Sequence, residues 1–465
     1  MKKILTVSLL ISVLGMNFTP VLATTKCGNE NSPKVFKSMI KKNKKQKSDA
    51  YKYAYVNTEW WNNFNDSLLT GYINRAIQHN YDLKMATLAV EEYYQNTKIQ
   101  FAKELPMAGV GFAPALTTMP GTHKWDWSYA TPAYVNYEAD IFLKNRDKTK
   151  SVKKLYEASQ LDERAAYISV AGAVGTVYLN IVRINKIIEL QTEIVDLRKD
   201  IYNLMLISNR EGLVSTTDTI RANKSLVAGQ SELIELQKQK DILLNALAVL
   251  IGESPDNISE LDITPYEKIN FTGLIPSEIS SEIIVQRPDF LKAEKMVEKA
   301  GIDVRVARKE FLPTINLTGL AVFNASEIGG IFSTKGMLGA LAAGAILPLF
   351  TGGAKVANLR LKKVQYERLL QDYYKTNLTA IQEINDALVS VNKDKEKMQE
   401  TLKQAKLEQS DYNLNKKKYE QGVISRLDLI QMQENLLSID KLVAQQNVEC
   451  MIDYISLYKA VGSKL

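Results

Sequence analysis

Reactive chemistry is sparse in this chain, and the residues that could carry any cluster in two nearly matching stretches. One runs Gly212-Leu213-Val-Ser215-Thr-Thr-Asp218, the other Gly422-Val423-Ile-Ser425-Arg426-Leu-Asp428. Glycine suits the left-handed residue that closes a helix, and Ser215 or Ser425 can cap the next one. The aspartate then falls in the first turn, where the helix dipole favours negative charge. Two readings stay open for Asp218 and Asp428. They are ordinary helix-start acids, or they take the part that a family resemblance implies for them.

Catalytic and cofactor patterns are missing. Gly352-Gly353-Ala354-Lys355 lacks both the spacing and the following hydroxyl of a phosphate loop, and neither an HExxH helix nor a dinucleotide fingerprint occurs. With 2 histidines and 2 cysteines, a metal site or a Ser-His-Asp set has few residues to draw on, and His79 and His123 have no partner at ligand spacing. No enzyme activity and no cofactor are expected. Cys27 and Cys450 could bond only across almost the whole chain, and no such bond is expected. The net charge of +7 includes Lys2 and Lys3, and a run of lysines crowds between Lys34 and Lys47. A single aromatic side chain, Phe36, lies in that run, too few for a stacking platform, so it reads as a solvated lead rather than a nucleic-acid surface.

The elements that must position the two turns come from periodicity. None of the 12 prolines lies between Pro132 and Pro255 or beyond Pro348, which leaves two long stretches free of the strongest helix breaker. In the first, Ile187, Leu190, Ile194, Leu197, Ile201 and Leu204 step three, four, three, four. In the second, Leu388, Val391, Met398, Leu402, Ala405 and Tyr412 lie on the same seven-residue grid, with Lys395 as its polar exception. Each half therefore ends in a helical hairpin, and a first arm from Lys144 to Arg210 would reach roughly 100 Å at 1.5 Å per residue.

The period changes to two from Trp125 to Ile141, apolar on one face and polar on the other, with Trp125, Trp127 and Tyr129 at one end. That pattern fits a strand with lipid on one side, water on the other and an aromatic girdle at the interface. Met107 to Thr118 is its expected hairpin partner, and Thr314 to Phe323 and Met337 to Phe350 form the second pair. The last of these is the longest apolar run outside the leader, short of the roughly 20 residues a spanning helix needs.

Lys2 and Lys3, the apolar Ile4 to Leu14 and Val21-Leu22-Ala23 read as a secretory signal over 1–23. A lysine-rich lead over 24–59 follows. Cys27 is a candidate lipid-bearing residue, although Thr24-Thr25-Lys26 is a poor lead-in for such processing. Tyr202 to Gly252 aligns without a gap on Tyr412 to Gly462, which points to an internal duplication with a period of about 200 residues. The two units are 60–270 and 271–465, each a helix, two strands and a long helical hairpin.

These features resemble the TolC-like outer-membrane efflux family, and within it the branch serving RND-type drug pumps. The carriers are Trp61, Phe64, Asp66 and Leu68; Asn80-Tyr81-Asp82-Leu83; Glu138-Ala139-Asp140-Ile141-Phe142; Arg287-Pro288-Asp289; Phe311-Leu312-Pro313; and Leu349-Phe350-Thr351-Gly352-Gly353. The resemblance implies a mainly helical α+β fold, in which a trimeric transmembrane β-barrel continues as a long periplasmic α-helical barrel. It implies an outer-membrane location, a homotrimer, and partners in a periplasmic adaptor and an inner-membrane pump. The adaptor would meet the turns at Gly212, Leu213, Ser215, Gly422, Val423 and Ser425. Asp218 takes the position of a gate-locking aspartate and Asp428 that of an acidic ring. The basic partner of some members falls on Ile424, with Arg426 nearby, and a second acidic position is Gln431. Four strands cannot close a useful barrel, whereas twelve from three chains could. The rival reading is a pore-less periplasmic coiled-coil adaptor or envelope scaffold, which has no use for an amphipathic strand of that length.

Overall fold

The computed structural model describes residues 59–118, 125–256, 261–269, 271–273, 285–334 and 337–462. The signal, most of the lysine-rich lead and Cys27 lie outside them. A 3-10 turn, Trp60–Phe64, leads into α1 (Ser67–His79) and α2 (Tyr81–Ala102). The Asp66 carboxylate caps α1 by accepting from the amides of Leu68 and Leu69, and it also accepts from the Tyr178 hydroxyl at 2.7 Å. Asn80 divides α1 from α2: its carbonyl oxygen accepts from the Leu83 amide, and its Nδ2 donates to the Leu250 carbonyl at 2.9 Å. Cap residues thus explain two of the sequence motifs.

Strands β1 (Met107–Val110) and β2 (Ala113–Thr118) both pair antiparallel with β3 (Trp125–Ala139) on one unbroken register. The gap between them has a chemical cause. The Gly111 amide donates to the Pro132 carbonyl at 2.8 Å, but proline has no N–H to return the bond. The expected strand to Ile141 stops at Ala139, because Asp140 turns back to accept from the amides of Lys144 and Arg146 at the start of the next helix. That helix, α3 (Lys144–Arg210), is 67 residues long and has the expected bounds. It returns through α4 (Thr216–Ile251).

The second half repeats the order. α5 (Pro288–Lys309) precedes β4 (Thr314–Ala325) and β5 (Met337–Ile346), followed by α6 (Ala354–Glu420) of 67 residues and α7 (Arg426–Val461) of 36, matching the 36 of α4. β5 ends short of Phe350, just before Leu347-Pro348. Gly352 and Gly353 then take φ of +58° and +80° to turn the chain into α6. β4 pairs with β3 and β5 with β4, so one antiparallel sheet joins the halves.

The main core surrounds the middle of α3, where Val174, Tyr178, Leu179 and Ile181 meet Trp60, Phe64, Leu69, Leu247 and Ile455. Between Arg164 and Arg183 this helix holds an 18-residue window apolar enough to cross a membrane by length and composition, and half of that window is buried in the protein. Scattered Ser169, Thr176 and Asn180 hid it from a search for unbroken apolar runs. Buried Gly175 and Ala171 let α7 and Trp60 approach: a Cβ on Gly175 would come within 2.4 Å of the Trp60 ring.

The two heptad readings fare differently. On α3, Ile187, Leu190 and Ile194 are buried, with Leu190 and Ile194 against Leu437 of α7. On α6, Val391, Met398, Ala405 and Tyr412 turn inward as expected, but the positions between them are Asp394 and Thr401, not Lys395 and Leu402. Leu402 is exposed and Thr401 buried. Leucine drew the grid one residue away from the packed seam, whose intervening positions are polar.

Candidate channel wall and helical tips

The register sorts the sheet's side chains onto two faces. Phe112, Leu116, Trp125, Trp127, Tyr129, Val135, Leu317, Phe323 and Leu341 share one of them. Ser128, Asn136, Glu138, Asn316, Thr318 and Asn324 share the other with small residues, and Tyr134, Leu320, Val322 and Leu338 lie among them. On the first, Phe112 stacks near Tyr129 at 6.3 Å between ring centres and Trp127 near Tyr129 at 6.1 Å, with Trp125 and Trp127 largely exposed. On the second, Tyr134 lies over Gly109, where a Cβ would come within 2.6 Å of the ring. A sheet with one largely apolar and one mixed, more polar face, and with outer edges at β1–β2 and β5, is part of a wall rather than a finished one.

The helical tips are built alike. Gly212 and Gly422 adopt φ of +72° and +75°. The amides of Leu213 and Val423 reach back to the carbonyls of Ser208 and Lys418, each at 2.8 Å. Leu213 and Val423 themselves are 77% and 67% exposed, apolar side chains held outward at the two turns.

Ser215 and Asp218 form a capping box, as do Ser425 and Asp428. The serine hydroxyl donates to the aspartate at 2.7 Å in both, and the serine amide donates to the same oxygen at 3.2 and 3.1 Å. Those bonds hold both carboxyls below the ordinary range, the serine hydroxyl first. Asp218 also meets Arg221 at 3.3 Å. Arg426 does not reach Asp218 or Asp428. It pairs with Asp200 of α3 at 3.3 Å, tying the second hairpin to the first near the tips. Gln431 is exposed one turn beyond Asp428.

Sequence reasoning passed over Asp200 and the polar bonds above it. Arg198 of α3 reaches Glu434 of α7 at 2.6 Å and the Ser225 carbonyl of α4 at 3.1 Å. Lys441 joins Gln191 and Glu232, each at 2.7 Å. Their partners lie on other helices, at separations that no local spacing reveals. No cluster of metal-ligating side chains occurs among the described residues.

A sheet with two unlike faces runs into helical hairpins whose longer arm is about 100 Å, and that architecture is shared with solved outer-membrane channels. Residues 72–253 and 279–463 match the family described as outer membrane efflux protein, and the chain belongs to that family. TtgC of Pseudomonas putida, a probable efflux pump outer membrane protein, is 27% identical over 414 residues, covering 87% of this chain and 84% of the relative. The cation efflux system protein CusC of Escherichia coli O157:H7 is 23% identical over 418 residues, covering 88% of each. Among solved structures, the Campylobacter jejuni CmeC outer membrane channel superposes with a TM-score of 0.79 at 24% identity, covering 87% of this chain and 88% of that one. The open state of the Neisseria gonorrhoeae MtrE outer membrane channel gives 0.76 at 25% identity, covering 85% and 89%. The protein is an outer-membrane efflux channel that extends into the periplasm. Its relatives are channel components and not enzymes, and the scaffold reading is set aside.

Proposed function

We propose that three copies of this chain close one barrel and one helical tunnel, and that the assembly conducts small molecules passively from periplasm to exterior. The observation that carries this reading is the sheet's register, which gathers apolar side chains on one face and leaves outer edges for neighbouring copies. A spanning sheet must satisfy its backbone by closing, because lipid offers no hydrogen bonds. The helices support the same assembly. Ile220, Val227, Ile234, Ile242 and Val249 run along the exposed side of α4 at near-heptad spacing, and Leu378, Val389, Leu407 and Leu414 along that of α6. Helix stripes of this kind seek partner helices. The chain reads as two copies of one unit, whose hairpins would alternate around the tunnel.

The closed end lies at the tips. Opening would splay α7 from α3 and break the Arg426–Asp200 pair, while Asp218 and Asp428 line the mouth with Gln431. The turns carrying Gly212, Leu213, Ser215, Gly422, Val423 and Ser425 would dock a periplasmic adaptor through the outward Leu213 and Val423. Trp125, Trp127 and Tyr129 would sit at the lipid interface. Driving energy would come from an inner-membrane pump, since the relatives are named as parts of efflux pumps, and the RND type follows from the family resemblance alone. Planar-bilayer recording tests the reading. The parent conducts and is blocked by divalent cations, and Asp428→Ala weakens the block. A parent that never conducts removes the channel mechanism, and unchanged block removes Asp428 from the mouth.

A further inference from the structure

About 40 Å above the tip at 1.5 Å per residue, α7 places Asp453 against α6. The side chain is buried, and no donor among the described residues reaches its Oδ2. Its polar neighbour on α6 is another carboxyl, Asp394, which already accepts from Gln446 at 3.2 Å. Apolar packing lies close by on the same two helices, where Val391 meets Leu457 and Val461. Two ionised carboxylates sit poorly together in such a place, because neither has a proton to offer and burial penalises the Asp453 charge. A single proton resolves the conflict, since a protonated Asp453 can donate to Asp394. We propose that Asp394 and Asp453 share one proton and act as a pH-sensitive clamp between α6 and α7, closed when the proton is present and loosened when it leaves.

The charged groups around the pair do not supply a rival explanation. Glu449, on the same helix, adds negative charge, and its own partner is Arg183 of α3 at 3.2 Å. Cys450 is held neutral by burial, and Gln446 is spent on Asp394. Burial first, and then Asp394, raise the Asp453 carboxyl to about 7. The folded value therefore exceeds the unfolded one of 3.8. Between the two, the folded clamp holds a proton that the opened chain releases, so closure weakens as pH rises through that window and levels off above it. This inference rests on α6–α7 packing and stands apart from the conduction reading.

The test is hydrogen exchange on the full-length protein in detergent at a series of pH values, corrected for intrinsic chemistry. Amides of α6 around Val391 and α7 around Leu457 should lose protection by about tenfold per pH unit between pH 5 and 7, as expected for one linked proton. Asp453→Asn, which is neutral at every pH, should flatten that slope, and Asp394→Asn should reduce it. An infrared carbonyl band from a protonated carboxyl, present at pH 5.5 and missing in Asp453→Asn, reads the proton directly even if one variant folds poorly. A slope of zero in the parent, or a band unchanged in Asp453→Asn, overturns the proposal.

Discussion

At the scale of single residues, the capping boxes do the most definite work. Removing the hydroxyl in Ser425→Ala should cost the start of α7 about 1 kcal/mol, seen as faster amide exchange in its first turn, and Ser215→Ala should do the same to α4. Both aspartates are held below the ordinary value of 3.8, so their share of the cap is complete above that value and lost as pH falls through the lowered one. First-turn exchange should therefore quicken under acid, the opposite direction to the clamp higher up. Gly252 gives a sharper expectation. Its φ is +78° and a Cβ would come within 2.5 Å of the His79 carbonyl oxygen. Gly252→Ala should lower stability by about 1–3 kcal/mol, measured as a lower Tm in detergent. The caps were legible because serine, aspartate and glycine act within a few residues. The Arg426–Asp200 pair was not, since it depends on how two distant helices are rotated.

At the scale of elements, Arg287 shows what a motif can conceal. Its buried guanidinium bonds Asp289 at 2.7 Å and Glu383 of α6 at 2.6 Å, and it also donates to the Ala460 carbonyl near the end of α7. One side chain thus binds the start of α5 to both helices of the second hairpin. Arg287→Met should cost about 2–3 kcal/mol by leaving a buried carbonyl unpaired, with melting of detergent-purified protein as the measure. Helix and strand limits were readable to within a few residues, because prolines, glycines and the switch of period mark them. The inward face of α6 was misread for a physical reason. In a helix packed on more than one side, apolar residues serve several seams, and Leu402 belongs to a surface that the single chain leaves open.

At the scale of the molecule, assembly carries the prediction. On the proposed assembly of three copies, replacing Ile234 with glutamate on the exposed stripe of α4 should leave the fold of the chain intact and lower the trimer fraction in native mass spectrometry or light scattering. The same change at an exposed polar position such as Gln239 should leave that fraction unchanged. Equal trimer fractions in the two variants would mean that the stripe is not a subunit seam. The joining of β3 to β4 could not be read from the chain. Nothing local states that Tyr134 will sit opposite Leu320, and only the paired sheet makes two separate hairpins into one surface.

The apolar window in α3 has a consequence before the protein reaches its place. An outer-membrane protein must first pass the inner membrane, and this window would be met there unshielded by Trp60, Leu247 and Ile455. To the export machinery it looks like a place to stop. Asn180, Gly172 and Gly175 lower the hydropathy of the stretch, and Gly175 is also where Trp60 comes close in the folded protein.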